Sequence, residues 1–436
     1  MKPYKVFKFG GASVKDAAAI ENLRNILRRY PEENLAIVIS AIGKTTNFLE
    51  KTLDAYYHRP EEALQMADEL QLRHEQIAQG LLADPETLNA SMRPLFDKLR
   101  ARLHTQHSNN YDFDYDQIVS FGELLSTTLI SGYLNQSGIA NTWLDARRLM
   151  RTDSTYREGH ILWDTTTSQI RNVVSGQTNR IVVTQGFIGG TAECLTTTLG
   201  REGSDFSAAV MAYALDAESV TIWKDVPGLL NADPKRFPDA VKLPRIPYEE
   251  AVELSFYGAS VIHPKTLKPL QNKGIPLYVK SFFRPEDEGS VITACTVSSE
   301  TPSFIVKDRQ TLLTVSPRDF SFMDVDNLSE IFSQFSKFRI RVNMMQNSAL
   351  SLSVCTGTDK IRVRQCMDAL KERYKVKYNE DVDLVTIRHY NQEAIDRMLA
   401  GRDVLLEQTS RSTTQFVMKG HLGGTNNNNN NNNNNK

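Results

Sequence analysis

Five segments of this chain gather glycines, small hydroxyl residues and isolated charges where a strand gives way to a helix or loop. The first is Lys8-Phe9-Gly10-Gly11-Ala12-Ser13-Val14. Glycines let a backbone approach an anion, and the N–H groups opening a helix favour phosphate. Lys8, at the strand end, could neutralise phosphate oxygens; the same residues also suit a tight turn with a surface lysine. The second segment, Ser40-Ala41-Ile42-Gly43-Lys44-Thr45-Thr46-Asn47, follows a continuous apolar run. Its Ser40 and Thr46 suit a ligand crevice at the carboxyl edge of a sheet, and turn chemistry explains them equally well. The third is Glu123, the only charged residue between Ile118 and Leu144. A carboxylate buried there needs a partner, either an internal base or the cation of a ligand. The fourth is Gly200-Arg201-Glu202-Gly203-Ser204-Asp205, ahead of an apolar helix. Ser204 and Asp205 suit helix capping, whereas the planar fork of Arg201 suits a carboxylate or phosphate. The fifth runs from Trp223 through Lys224, Asp225, Pro227, Gly228 and Leu230 to Lys235, a charged and turn-rich loop after an apolar strand.

Other chemistries are missing their parts. Gly43-Lys44-Thr45 looks like the end of a P-loop, but Val38 stands where its first glycine belongs. The chain contains no GxGxxG and no HExxH, and His104 and His107 read as surface residues. Cys194, Cys295, Cys355 and Cys366 are far apart and form no CxxC, so neither a disulfide framework nor a zinc site is implied.

The elements that must position these residues alternate between strand and helix up to about Thr293. Strands are expected at Tyr4–Phe9, Leu35–Ser40, Asn141–Leu144, Arg180–Gln185, Ser219–Trp223 and Pro276–Lys280. Helices are expected between 47 and 103 with breaks near Pro60 and Pro85, at 116–135, and at 204–215, 248–256 and 264–271. That alternation indicates an α/β domain with a mainly parallel sheet between helices. After Pro285 the pattern becomes βαββαβ, a ferredoxin-like unit. Its helices carry Leu328, Ile331, Phe332 and Phe335, then Val363, Cys366, Met367 and Leu370. A second, weaker echo follows, with strands at 383–388, 404–408 and 414–418 and a helix at 392–399. It lacks a closing helix and strand. The expected domains are 1–293 and 305–418, followed by a disordered Asn-rich tail over 420–436.

Composition limits the function. The chain has 436 residues, 40% hydrophobic and 24% charged, which suits two or three domains with sizeable cores. Lys+Arg is 51 against Asp+Glu 52. That balance gives no general grip on nucleic acid or an anionic membrane. No apolar run reaches the ~20 residues of a membrane span. The N-terminus, MKPYKVFKFGG, has no apolar signal region, so a cytoplasmic location is expected.

Taken together, KFGGASV, SFGELLST, GREGSD, WKDVPGLLNADPK and ELSFYGASVIHPKTL resemble the amino acid kinase family, and within it the aspartokinases. The C-terminal strands and helices resemble the paired ACT domains that follow the kinase domain there. The resemblance covers roughly residues 4 to 418. It implies transfer of the ATP γ-phosphoryl group, with Mg²⁺, to the side-chain carboxylate of L-aspartate. The product, 4-phospho-L-aspartate, leads towards lysine, threonine and methionine. It also implies roles. Lys8 resembles the lysine that stabilises the transferring phosphoryl group, helped by the N–H groups of Gly10 and Gly11. Asp205 resembles the acid that organises that lysine. Arg201 and Glu123 look like the partners of the substrate α-carboxylate and α-ammonium, with Ser40, Thr46 and Ser204 lining the substrate crevice. Lys224, Asp225, Leu230, Lys235 and Ser260 match nucleotide-binding positions.

Four positions depart from the family. Glu202 replaces a common Gly and brings negative charge to the anion site. Ser260 replaces a common Lys, for which Lys265 or Lys224 are the nearby substitutes. Leu230 replaces a common aromatic residue, and Lys235 a common Arg. In the ACT region, Asn343 and Ala349 stand where lysine-sensitive relatives carry acids, and Gln346 and Asn347 suit threonine at least as well. The resemblance further implies a homodimer or higher homo-oligomer through the ACT domains, with threonine or lysine as effector. Two other functions stay open: a kinase for another small acid such as glutamate, and a non-catalytic amino-acid sensor that kept the fold.

Overall fold

The computed structural model describes residues 2–259, 262–296, 301–319 and 321–420. The Asn-rich tail and Ser260 lie outside the described residues. The chain divides into two units. The first comprises Met1–Leu229, Lys242–Val252 and Val261–Val297. The second comprises Leu230–Val241, Glu253–Ser260 and Ser298–Lys436.

In the first unit the chain opens with β1 (Tyr4–Phe9), α1 (Ala17–Leu27) and β2 (Asn34–Ile39). Asp16 starts α1 by accepting the Ala19 N–H at 2.8 Å. β2 is buried from Leu35 to Ile39, as a parallel strand covered on both faces must be. Next come α2 (Thr45–His58), α3 (Pro60–Leu81) and α4 (Glu86–His104). Pro60 sits at the first position of α3, where its missing N–H costs nothing. The single helix expected over 116–135 forms as two, α5 (Tyr111–Val119) and α6 (Phe121–Gln136). Asn110 begins α5 earlier by accepting the Phe113 N–H at 3.1 Å. There follow β3 (Thr142–Leu144), α7 (Ala146–Leu149), α8 (Trp163–Ser175), β4 (Ile181–Gln185), β5 (Ile188–Gly190), β6 (Thr196–Thr198), α9 (Gly203–Leu215) and β7 (Ser219–Lys224). The last elements are β8 (Arg245–Pro247), α10 (Tyr248–Tyr257), whose residues from Glu253 on belong to the second unit, α11 (Pro264–Lys273), β9 (Leu277–Ser281) and β10 (Ser290–Thr293).

Eight of these strands form one sheet in the order β3-β4-β2-β1-β7-β9-β10-β8. The run from β3 to β9 is parallel, and β10 runs antiparallel to β9. β1 lies between β2 and β7, with Phe9 opposite Ile39 on one side and Trp223 on the other. The strand ends carrying Lys8, Ser40 and Lys224 therefore share one carboxyl edge, where open α/β sheets bind ligands.

The second unit contains β11 (Ser303–Pro317), α12 (Val325–Lys337), β12 (Val342–Asn347), β13 (Leu352–Thr356), α13 (Lys360–Lys371), β14 (Tyr374–Arg388), α14 (Gln392–Leu399), β15 (Val404–Thr409) and β16 (Thr413–Lys419). They form one antiparallel sheet in the order β12-β13-β11-β14-β16-β15. The closing strand of the first expected ferredoxin-like unit and the expected strand 383–388 are one strand, carried through its middle by Asp381 in a left-handed conformation (φ 55°). The place of the missing closing strand is filled. Residues 303–307 at the start of β11 pair with 384–388 of β14. A bare edge there would leave backbone groups unpaired. The segment 230–241 supplies further cover: Phe237 stacks on Phe304 with centroids 5.5 Å apart. Both join Val385, Ile387, Met398 and Phe416 in one apolar cluster. No described helix is long and apolar enough to cross a membrane.

Candidate active site

Lys8 leaves β1 near its carboxyl end and meets Asp205 in the first turn of α9, Nζ to Oδ1 2.6 Å. Both side chains are largely buried. Gly11, just past the strand, brings the second loop close. A Cβ there would lie 2.6 Å from the Gly43 carbonyl and 2.9 Å from that of Ala41. Gly43 N–H in turn donates to Gly11 O at 3.1 Å. Gly10 precedes the short turn Gly11–Val14. Ser40 and Thr46, on that second loop and the start of α2, line the same cavity as Lys8.

Glu123 projects from α6 into the same place and is 2% exposed. Its Oε1 accepts the Ala41 N–H at 3.3 Å, and its Oε2 has no partner. Burial pushes its pKa up to about 8, against the smaller opposing effect of the Ala41 N–H. The charge therefore has no internal base among the described residues, which leaves a ligand cation as the remaining reading of its sequence context. Arg201 sits exposed on the loop before α9 and makes no hydrogen bond or ion pair with described residues.

Lys8, Ser40, Thr46, Glu123, Arg201, Ser204 and Asp205 line a single cavity of about 840 Å³. The same cavity is also lined by Asp112, Tyr115, Tyr156, Arg157 and Glu158, residues that carried no signal in the sequence. The Arg157 guanidinium lies 4.6 Å above the Tyr115 ring and 3.1 Å from Asp112. Three cations (Lys8, Arg157 and Arg201) and five carboxylates (Asp112, Glu123, Glu158, Glu202 and Asp205) line one space, a mixture that suits a zwitterion bearing a further acid group, and a phosphoryl group beside it.

The residues expected at the nucleotide fall elsewhere. Lys224 ends β7 in the first unit and Asp225 follows it, and neither lines the cavity. Leu230 and Lys235 belong to the second unit, where Lys235 is exposed. Glu202, the added negative charge, also lines the cavity; it has φ 53° and its Oε2 accepts the His263 N–H at 3.0 Å. Its carboxylate is thereby held by the start of α11. Lys265 is also committed: its Nζ donates to Leu199 O at 3.0 Å and lies over the Phe206 ring. Burial lowers its pKa.

The amino acid kinase family model matches residues 3–281 of the chain. Aspartokinase 2, chloroplastic, of Arabidopsis thaliana is 31% identical over 383 residues, covering 84% of this chain and 69% of that protein. Aspartokinase III of E. coli in complex with lysine and aspartate superposes with a TM-score of 0.81 at 26% identity, covering 95% of each chain. The same enzyme with aspartate and ADP gives 0.79 at 26% identity, over 95% of this chain and 96% of that one.

Proposed function

The chain belongs to the amino acid kinase family and to its aspartokinases, and on that premise we propose that it phosphorylates the side-chain carboxylate of L-aspartate with ATP. The observation that carries this reading is the buried, unpartnered Oε2 of Glu123 in one cavity with the Lys8–Asp205 pair and the unpaired Arg201. A substrate α-ammonium satisfies Glu123. The α-carboxylate takes the fork of Arg201. The side-chain carboxylate is then left facing Lys8.

The acceptor is ionised at neutral pH, so its oxygen attacks the γ-phosphorus without a general base. The new O–P bond forms as the bond to the ADP oxygen breaks. Catalysis rests on holding two anions together and offsetting their repulsion. Lys8 supplies charge to the transferring group, and Asp205 keeps its ammonium in place. The N–H groups of Gly10 and Gly11 are assigned to the phosphates. Lys224, Asp225, Leu230, Lys235 and Ser260 are assigned to the nucleotide. Mg²⁺ arrives with ATP, held chiefly by its phosphates.

Regulation is assigned to the second unit, with residues 1–293 as the catalytic domain and 305–418 as the effector region. Threonine or lysine is the proposed effector, and E. coli aspartokinase III is a relative solved with lysine. Asn343 already spends its side chain on Gln310 and Lys307, while Gln346 and Asn347 are exposed. Pairing of two copies through the same unit is supported by Phe322 and Val325, exposed by 73% and 79%. A cytoplasmic location rests on the sequence alone, and the A. thaliana relative is named chloroplastic.

The test is ADP release on adding L-aspartate to protein, ATP and Mg²⁺, with hydroxylamine trapping the acyl phosphate. Matching amounts of ADP and aspartyl hydroxamate are expected. ADP formed with glutamate and not with aspartate would assign another acid as acceptor. Binding of aspartate without ADP in folded protein would assign a sensor.

A further inference from the structure

Arg201 stands on an exposed loop, and what fixes that loop lies behind it. β6 ends three residues before Arg201. One edge of β6 pairs with β5. Along the other, side chains of α5 take the place of a neighbouring strand. Gln117 donates to Thr196 O at 2.8 Å and accepts Thr196 N–H at 3.3 Å. Asp116 accepts Thr198 N–H on Oδ2 at 2.9 Å and the Thr198 hydroxyl on Oδ1 at 2.7 Å.

The same Oδ2 accepts a third donor, the Arg157 N–H at 3.0 Å. Arg157 is left-handed (φ 67°) and lines the same cavity. Its guanidinium goes to Asp112 instead, so Asp116 touches only the backbone of Arg157. The two segments also meet each other: a Cβ on Gly200 would lie 3.2 Å from Arg157 O and 3.4 Å from Glu158 Cγ. Asp116 is fully buried, and burial pushes its pKa up to about 6. Such a group is costly to keep unless its bonds serve a purpose. All three of its donors belong to the two segments that flank Arg201.

We infer that Asp116 is a positioning residue for aspartate recognition, joining β6 to the 157–158 segment so that Arg201 stands where the substrate α-carboxylate docks. The inference rests on the aspartate kinase reading. Wild-type enzyme must therefore first show aspartate-dependent ADP release, and a failure at that step rejects the reading itself.

The test is steady-state kinetics of Asp116→Ala, Asp116→Asn and Thr198→Val. Asp116→Ala is expected to raise the aspartate KM about tenfold or more, with kcat and the ATP KM within about threefold. Asp116→Asn keeps an oxygen for both N–H donors and turns an amide N–H towards the Thr198 hydroxyl, so it restores the aspartate KM to within about threefold of wild type. Thr198→Val removes one bond only and raises that KM about threefold; it decides the matter if the alanine variant does not fold. An unchanged aspartate KM in Asp116→Ala, or in Thr198→Val where the alanine variant is unfolded, overturns the inference. So does an asparagine variant as impaired as alanine, or a loss confined to kcat.

Discussion

The two units offer a ligand or partner different groups. In the first, the parallel sheet is covered on both faces, and a buried carboxylate oxygen of the cavity, the Oε2 of Glu123, is left without a hydrogen-bond partner. In the second, the antiparallel sheet leaves several large apolar side chains exposed: Phe322, Val325, Met345 and Ile361. A buried polar vacancy selects a small charged ligand. An exposed apolar surface gains by being covered by another chain. Chemistry is therefore assigned to the first unit and association to the second, and perturbations of each should leave the other's readout alone.

The largest effect is expected in the first unit. Lys8→Ala should lower kcat about a thousandfold and leave the aspartate KM within a few-fold, read by coupled ADP release. Arg201→Ala should instead raise the aspartate KM about a hundredfold, roughly the loss of a charge-assisted pair; an unchanged KM would remove Arg201 from the substrate.

The pH dependence follows from Glu123. Its pKa in the free protein is pushed up to about 8 by burial. Below that pH it is neutral and cannot hold an ammonium. The kcat/KM for aspartate should therefore rise about tenfold per pH unit towards 8 and then level off. For folding the sign is opposite. The unfolded chain releases this proton near the ordinary value of 4.5 and the folded one near 8, so this group lowers stability as pH rises between them. Glu123→Gln should remove both dependences, read by pH–rate profiles and by denaturant midpoints.

Smaller effects sharpen the contrast. Met345→Glu on β12 should reduce the assembled species in sedimentation while kcat stays within about twofold. Glu202→Gly relieves a left-handed residue by about 1 kcal/mol and loses one exposed hydrogen bond of similar worth. The aspartate KM should stay within about twofold, and thermal melting should move little.

The sequence made the first unit's chemistry legible because its strand ends announce themselves. A glycine pair after Lys8, a solitary Glu123 and a glycine-flanked Arg201 all stand out against apolar neighbours. Asp116 did not, because Tyr111–Val119 carries Asp112, Asp114 and Asp116 in close succession. Only the packing shows that two of them, Asp114 and Asp116, are fully buried. The second unit was read element by element, but its closure was missed. Pairing of 303–307 with 384–388 joins residues some 80 positions apart, and nothing local in either strand specifies it. Phe237, two residues past the nucleotide loop read from the sequence, carried no signal of its own, since its stacking on Phe304 depends on that same long-range pairing.

The most direct test of the central claim is calorimetry of aspartate binding at pH 7 in buffers of different ionisation enthalpy. Glu123 is neutral in the free protein at that pH and must ionise to hold the α-ammonium. Binding should release close to one proton, falling towards none above pH 8, and Glu123→Gln should release none. Binding at pH 7 with no proton released by the wild type would contradict the account.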